Sequence, residues 1–243
     1  MSLLNKQYQQ IYIINLDHRT DRMKKMKTLL DSYQIRYVRF PAINGKRPDI
    51  YKQWYHLRIT NKYCKLKSPG AWGYLLTLFY ILANAIKNNY QHILIMDDDV
   101  KLHQNFSKSL TKIPIPTDWK LIYYGACHQS HFSQKNLLNS ESKYFNVTDF
   151  QKIFGRGNID GSHMVGIHSC IFLELALSIK RSIYPFDSGP LKGIYTKYPK
   201  DCYIIYPYLA IQDLSESDIQ NNVSNNSSDY FYEKWGWQPS LYS

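Results

Sequence analysis

The chain of 243 residues is long enough for one sizeable α/β domain and short for two ordinary ones. Its composition, with 44% hydrophobic and 20% charged residues, excludes a mostly disordered chain. The formal net charge of +11 suits an anionic partner, such as nucleic acid, an anionic membrane or a nucleotide diphosphate. It suits equally well a basic face that contacts only water.

The first third of the chain predicts two strands around a helix. Residues 11–16 (IYIINL) are apolar and rich in β-branched side chains, which favours a buried strand. Residues 17–31 carry Met23, Met26, Leu29 and Leu30 at helical spacing, and residues 37–40 form a second short strand. Residues 41–48 (PAINGKRP) have the composition of a turn-rich loop.

Residues 68–86 (SPGAWGYLLTLFYILANAI) carry no charge, over a length that approaches a membrane span. Ser68 followed by Pro69 is the start signal of a soluble helix, and the segment also contains two glycines, Thr77 and Asn84. We therefore predict a helix buried in the protein core. The first ten residues lack the apolar stretch of a signal peptide, so we expect a cytoplasmic location.

The rest of the chain alternates strand and helix signals. Strands are predicted at residues 92–96, 121–125 and 201–206 and a helix at 169–182, whereas 128–162 and 213–229 are polar and irregular. This alternation predicts an α/β fold with a mixed, mostly parallel sheet. We expect one domain over residues 1–219 and a C-terminal tail, residues 220–243, packed on it. The four cysteines lack Cys-x-x-Cys spacing, so no zinc site is predicted.

Three adjacent carboxylates, Asp97, Asp98 and Asp99, come directly after the strand at residues 92–96. Ligands of open α/β sheets bind at the carboxyl ends of strands, and three neighbouring carboxylates repel one another unless a cation offsets their charge. Oxygen ligands suit Mg²⁺ or Mn²⁺, which can bridge a diphosphate. We favour this interpretation over a solvated acidic turn that caps the next element.

Four segments, in order, resemble glycosyltransferase family 25, the family of lipooligosaccharide and collagen galactosyltransferases. They are IYIINLDHRTDRMKKM (residues 11–26), the uncharged helix (68–86), ILIMDDDV (93–100), and YPFDSGPLKG (184–193) with YPYLAIQDLSESDI (206–219). The chain departs from the family at Thr77-Leu78, where the family usually has Ser-His. It also has Asp97 where the acidic motif usually begins with Glu.

The resemblance implies a single GT-A-like nucleotide-sugar-binding domain, a UDP-sugar donor carrying galactose or glucose, and inversion at the anomeric carbon. It implies Mn²⁺ or Mg²⁺ as cofactor, with Asp97 and Asp99 as metal ligands. We expect Asp99 to be the leading direct ligand if strand geometry persists beyond Asp97, because alternate strand residues share a face. The residues that the resemblance assigns to donor binding are Asn15, Leu16, Arg19, Arg22, Gly70, Thr77, Asp97 and Asp98, so Asp97 is assigned to both the metal and the donor.

Inversion needs a base that deprotonates the acceptor hydroxyl, and Asp187, which matches the family's lone Asp, is the first assignment. A turn cap within PFDSGP is an equal alternative. The acceptor is a glycan, a lipid-linked sugar or a protein, and the basic charge leaves peripheral membrane association open. Two competing functions are a basic nucleic-acid-binding protein, for which no known module is present, and an inactive glycosyltransferase relative.

Overall fold

The computed structural model describes residues 2–128, 141–214 and 228–243. Within these ranges, the strands form one large sheet and two small two-stranded sheets. The strands are β1 (Gln10–Asn15), β2 (Val38–Pro41), β3 (His92–Asp97), β4 (Val100–Leu102), β5 (Leu121–Tyr123), β6 (Cys127–His128), β7 (Lys143–Asn146), β8 (Ile159–Asp160), β9 (Met164–His168), β10 (Cys202–Tyr206) and β11 (Ala210–Gln212).

The large sheet has the order β2-β1-β3-β9-β5-β10-β7 among the described strands. Strands β2, β1, β3, β5 and β10 run in one direction, while β9 and β7 run against them. The predicted mixed, mostly parallel sheet is therefore confirmed. In the parallel pair β1–β3, Ile14 lies opposite Asp97, so both strands end at the same edge of the sheet.

The helices pack on both faces of this sheet and bury two hydrophobic clusters. The α-helices of the described ranges are α1 (Leu3–Gln7), α2 (Thr20–Ser32), α3 (Pro48–Thr60), α4 (Pro69–Lys87), α5 (Phe106–Lys112), α6 (Val147–Phe154), α7 (Phe172–Lys180), α8 (Lys192–Lys197) and α9 (Ser228–Trp235). One π-helix (Asp187–Leu191) precedes α8 directly in the described part of the chain.

Helix α4 begins as its sequence predicts. Ser68 is its N-cap, and the Ser68 Oγ accepts the backbone N–H of Ala71 at 3.1 Å. The helix packs against α3 and α7 and buries Leu75, Leu78 and Leu82, which agrees with a helix of the protein core. By length and composition alone, it is also the one helix in the described ranges that could cross a membrane.

Two elements outside the predicted set shape the fold. Helix α3 begins at Pro48 in a stretch whose apolar and aromatic residues lie on more than one side of the helix, so no single apolar stripe marks it. Strand β9 contains Gly166, where a Cβ would lie 2.1 Å from the Tyr8 hydroxyl, so the glycine that weakens the strand signal is needed for close packing. The prediction of irregular structure over residues 128–162 is wrong for 143–154, which form β7 and α6, and for 159–160, which form β8. Residues 129–140 lie outside the described ranges.

The described C-terminal residues pack on the same body as the sheet. The Trp237 Nε1 donates to the Ala126 carbonyl at 3.1 Å. Leu102 and Ser243 exchange backbone hydrogen bonds of 2.9 and 3.0 Å. These contacts hold the described C-terminal residues against the rest of the chain. The boundary between residues 219 and 220, and most of the polar stretch at 213–229, fall outside the described ranges, so that boundary stays a prediction.

Candidate functional site

A cleft opens where β1 and β3 end, beside the start of α4 and strand β11; we call it the acidic cleft. It lies at the carboxyl edge of a parallel strand pair, where ligands of open α/β sheets bind. It is lined by Ile14, Leu16, His18, Arg22, Ala42, Ile43, Asn44, Gly45, Lys46, Ser68, Pro69, Gly70, Tyr74, Asp97, Asp98, Asp99 and Gln212.

Asp97 is the last residue of β3. Its backbone N–H donates to the His163 carbonyl at 2.9 Å, and its Oδ1 accepts the Tyr74 hydroxyl at 2.8 Å. Burial, followed by the negative charges of Asp99 and Asp98, raises the pKa of Asp97 well above its ordinary value. The Tyr74 hydrogen bond opposes this rise. The folded protein therefore holds a carboxylate whose charge is costly.

Asp98 and Asp99 form the turn between β3 and β4, so strand geometry does not continue beyond Asp97. The condition under which Asp97 and Asp99 would share a strand face is thus not met. Instead, the turn directs the Asp98 carboxylate to Asn15 and Arg22, whose Nδ2 and Nη1 donate to it at 2.7 and 2.9 Å.

Asp99 has one satisfied and one unsatisfied carboxylate oxygen. Its Oδ2 accepts from the Arg22 Nη1 at 3.2 Å and from the Gln212 Nε2 at 3.1 Å. Its Oδ1 is buried and has no hydrogen-bond partner among the described residues. Burial is the main reason that the pKa of Asp99 rises from 3.8 to about 6. A buried, unsatisfied carboxylate oxygen beside two further carboxylates is chemically suited to a divalent cation.

The described residues do not hold a group of three or more His, Cys, Asp or Glu side chains arranged around a common point. This does not conflict with the expected ion, because Mg²⁺ and ions like it are commonly bound by one or two carboxylates together with substrate phosphates. The carboxylates of the acidic cleft therefore fit a metal that a diphosphate helps to hold.

Arg22 is the positively charged residue that pairs with two of the three carboxylates, Asp98 and Asp99. Its Nη1 lies 2.9 Å from Asp98 and 3.2 Å from Asp99, and its side chain is only 11% exposed. The buried Asn15 holds Asp98 in place. Its Nδ2 donates to Asp98, and its Oδ1 accepts a hydrogen bond of 2.8 Å from the Arg39 Nε. The predicted residues Asn15, Arg22 and Asp98 are thus brought together.

The structure divides the residues predicted to bind the donor into two groups. Leu16, Arg22, Gly70, Asp97 and Asp98 line the acidic cleft, and Asn15 donates a hydrogen bond to the lining residue Asp98.

Arg19 and Thr77 do not line the cleft. Arg19 forms a two-pronged ion pair with Asp21. The fully buried Thr77 Oγ1 accepts the Ile43 N–H at 2.9 Å and donates to the Gly73 carbonyl at 2.8 Å. Thr77 therefore fixes the loop at residues 42–46, which does line the cleft.

Asp187 begins the π-helix, outside the lining of the acidic cleft. Its Oδ2 accepts the Gly161 N–H at 2.9 Å and its Oδ1 accepts the Ser188 N–H at 2.6 Å. The residue after Gly161, Ser162, places its Oγ 3.4 Å from the Tyr74 hydroxyl, which binds Asp97. These bonds hold Asp187 against Gly161 and link it to the cleft through Ser162; neither is a helix-cap bond, since the N-cap of the π-helix is Phe186. Its role as a base stays a prediction.

Sequence reasoning missed Tyr74, Gln212 and the loop at residues 42–46. Tyr74 lies one helical turn after Gly70, so spacing alone places both on one face of α4. Two glycines also mark the close approach of this loop to α4. A Cβ at Gly45 would lie 2.3 Å from the Pro69 carbonyl carbon, and one at Gly73 would lie 2.3 Å from the Ile43 carbonyl oxygen. Glycine at both positions lets the loop touch the start of α4.

Comparison with known proteins identifies the family. The model of glycosyltransferase family 25, described as an LPS biosynthesis protein, matches residues 8–162, which include the first three predicted motifs. The chain therefore belongs to glycosyltransferase family 25. The predicted family is confirmed, and the mixed seven-stranded sheet confirms the expected α/β fold.

Individual relatives are distant. A glycosyltransferase 25 family member of Aedes aegypti is 26% identical over 149 residues, covering 54% of this chain and 23% of that protein. Procollagen galactosyltransferase 1-A of Xenopus laevis is 28% identical over 137 residues, covering 49% and 21%. The chain thus spans less than a quarter of the length of these curated relatives.

Among solved structures, the chain is similar to a glycosyltransferase involved in the glycosylation of the major capsid of PBCV-1. The TM-score is 0.46 at 11% sequence identity, and the match covers 86% of this chain and 94% of that one.

Proposed function

We propose that the chain is a metal-dependent glycosyltransferase that moves a hexose, galactose or glucose, from a UDP-sugar to a hydroxyl group. The acceptor class is a glycan, a lipid-linked sugar or a protein, and the reaction inverts the anomeric carbon. Membership of family 25 supports sugar transfer, and relatives named procollagen galactosyltransferases favour galactose as the donor sugar.

One observation carries the metal-dependent part of this proposal. Three carboxylates share a cleft in which Arg22 is close enough to pair with two of them, while the buried Asp99 Oδ1 has no partner among the described residues. Such a site binds cations, and a cation bound there attracts a diphosphate. We assign Asp99 and Asp97 as metal ligands and Asp98 as a residue that binds donor hydroxyls or a metal-bound water. When bound, Mn²⁺ or Mg²⁺ would neutralise charge on the departing UDP.

The chain's own residues would do the remaining work. Arg22 carries a guanidinium that can form paired hydrogen bonds with a phosphate, and Lys46 brings a second positive charge to the cleft wall. Leu16 and the loop at residues 42–46 offer apolar and backbone surface to the nucleoside. We keep Asp187 as the proposed base, since a carboxylate oxygen that accepts one backbone N–H retains a further lone pair.

The test is a screen of UDP-sugars for UDP release, with Mn²⁺, with Mg²⁺ and with a chelator, using wild type, Asp99→Asn and Asp21→Asn. Asp21 is an exposed carboxylate on α2, so it is a control for the loss of one charge. We expect metal-dependent release that falls at least ~100-fold in Asp99→Asn, as removal of one well-aligned charge contact costs about 3 kcal/mol. UDP release that is unaffected by the chelator would contradict the proposal.

A further inference from the structure

A basic and aromatic surface borders the acidic cleft without lining it. Residues 50–67, from the third residue of α3 through the loop that follows the helix, contain five Lys or Arg residues and no Asp or Glu. This stretch of 18 residues therefore carries +5 of the chain's formal +11 charge. We call it the basic-aromatic face; its exposed basic, aromatic and aliphatic side chains are Tyr51, Lys52, Tyr55, Arg58, Ile59, Lys62, Tyr63, Lys65 and Lys67.

Helix geometry separates this face from the core. Ile50 is buried, Trp54 and Leu57 pack partly against the core, and the Trp54 Nε1 donates to the Leu66 carbonyl at 2.9 Å. Tyr51, Tyr55 and Ile59 follow one another at four-residue spacing, so they share the opposite, outward side of α3.

The outward side chains are unusually apolar for a solvated helix. The exposed fractions are 47% for Tyr51, 53% for Tyr55, 63% for Ile59 and 62% for Tyr63. The Tyr51 and Tyr55 rings are nearly parallel, at 7° with centroids 6.4 Å apart. Exposed apolar groups of this kind mark binding surfaces when polar residues surround them.

The surrounding charges are available to an external partner. None of the five basic side chains forms an ion pair with another described residue. Two of them contact aromatic rings: the Arg58 guanidinium lies 5.3 Å from the Trp54 ring centroid and the Lys62 ammonium 5.0 Å from that of Tyr63. The face thus presents uncompensated positive charge around aromatic and aliphatic groups.

We propose that the basic-aromatic face docks on an anionic lipid bilayer. Basic residues with exposed Tyr rings can also bind nucleic acid, but the exposed aliphatic Ile59 suits the apolar part of a membrane interface and favours the bilayer. Lys and Arg around apolar side chains are typical of helices that lie in the membrane interface, and Tyr is enriched at that depth.

The position of the face gives docking a consequence. The loop before α3 contributes Asn44, Gly45 and Lys46 to the acidic cleft, and the segment after it contributes Ser68, Pro69 and Gly70. Both ends of the α3 segment therefore adjoin the acidic cleft, which places a bilayer bound at α3 near it. Given the proposed transfer reaction, this placement favours an acceptor held in the membrane, such as a lipid-linked sugar. That last step rests on the proposed function; the docking itself does not.

The test is co-sedimentation of the purified chain, without donor, with vesicles of phosphatidylcholine alone or with about one third phosphatidylglycerol. Wild type should bind only the anionic vesicles. The double variant Lys62→Ala/Lys65→Ala should lower the partition coefficient about 25-fold, since each basic residue near an anionic leaflet contributes about fivefold. Ile59→Ser should lower it about fivefold, because a mostly exposed aliphatic side chain loses its burial in the interface.

Matched controls carry the same substitutions on other exposed sites. Lys24→Ala/Lys25→Ala removes two charges from α2, and Leu173→Ser removes a side chain that is 66% exposed on α7. Both should keep wild-type binding within about twofold. The charges of α2 and the side chain on α7 lie outside the proposed docking face, and the attraction to an anionic leaflet falls off with distance.

The proposal is overturned if wild type ignores anionic vesicles, or if the controls lose as much as the α3 variants. It is also overturned if Lys62→Ala/Lys65→Ala abolishes binding while Ile59→Ser has no effect, since that pattern identifies a polyanion site that an oligonucleotide should then occupy. UDP binding, measured on the same variants, should be unchanged. Failure of docking is thereby separated from failure of the transferase proposal.

Discussion

Replacing Asp99 with Asn should stabilise the metal-free protein. The pKa of the buried Asp99 carboxyl rises from 3.8 to about 6, so its ionised form is disfavoured in the folded state. Two pKa units correspond to about 3 kcal/mol, and Asn keeps the acceptor for Gln212 while removing the charge. For a domain of this size, about 3 kcal/mol corresponds to roughly 6 °C in melting temperature.

The gain should depend on pH in a definite direction. Because the folded pKa lies above the unfolded one, the folded protein binds more protons between pH ~4 and ~6, and wild type loses this contribution as the pH rises through that window. Asp99→Asn has no carboxyl to titrate there. The difference in melting temperature between variant and wild type should therefore be near zero at pH ~4 and close to its full value at pH ~7.

The assay is thermal unfolding of both proteins in chelator-containing buffers across this pH range. Asp21→Asn is the matched control: Asp21 is exposed, and a hydrogen bond from Arg19 lowers its pKa to about 2. Losing that charge should give no gain at any pH. The reasoning is refuted if Asp99→Asn melts no higher than wild type at pH ~7, or if Asp21→Asn gains as much.

Three further substitutions test other parts of the site. Arg22→Gln leaves two buried carboxylates without their cation, so it should destabilise the metal-free protein by about 3 kcal/mol in chemical unfolding, and Mn²⁺ should restore more stability to it than to wild type. Thr77→Val removes the hydroxyl that binds the Ile43 N–H, which should cost about 1–3 kcal/mol and raise KM for the donor; wild-type stability and KM would remove Thr77 from this role. Gly45→Ala drives a Cβ against the Pro69 backbone and should cost about 1–3 kcal/mol, whereas Gly193→Ala, which meets open space within α8, should be neutral or stabilising.

The sequence predicted the edge of the sheet on which the site is built. Strands β1 and β3 and helix α4 carry long, regular apolar patterns, and these elements alone place Asp97 beside Ile14 and the start of α4. Patterns of this length are informative because burial on both sides, or along one helical stripe, leaves little choice of residue type. The sequence therefore predicts both the acidic residues and their place at the end of a buried strand.

The parts that could not be predicted depend on contacts between distant segments. Gln212 reaches Asp99 because β11 pairs with β4, and no local pattern announces that pairing. The ion pairs of Arg22 require α2 to lie over the turn after β3. Thr77 looked like a donor contact from the family pattern, yet its place on the buried side of α4 makes it a support for the loop that lines the cleft.

We propose that the acidic cleft binds a nucleotide diphosphate through a divalent cation held by the carboxylates at the end of β3. Calorimetric titration of the wild-type protein with UDP, in Mn²⁺ and in chelator, tests this proposal. We expect Mn²⁺ to tighten UDP binding at least tenfold, which is about 1.4 kcal/mol. Equal affinity in Mn²⁺ and in chelator, or no UDP binding under either condition, would contradict it.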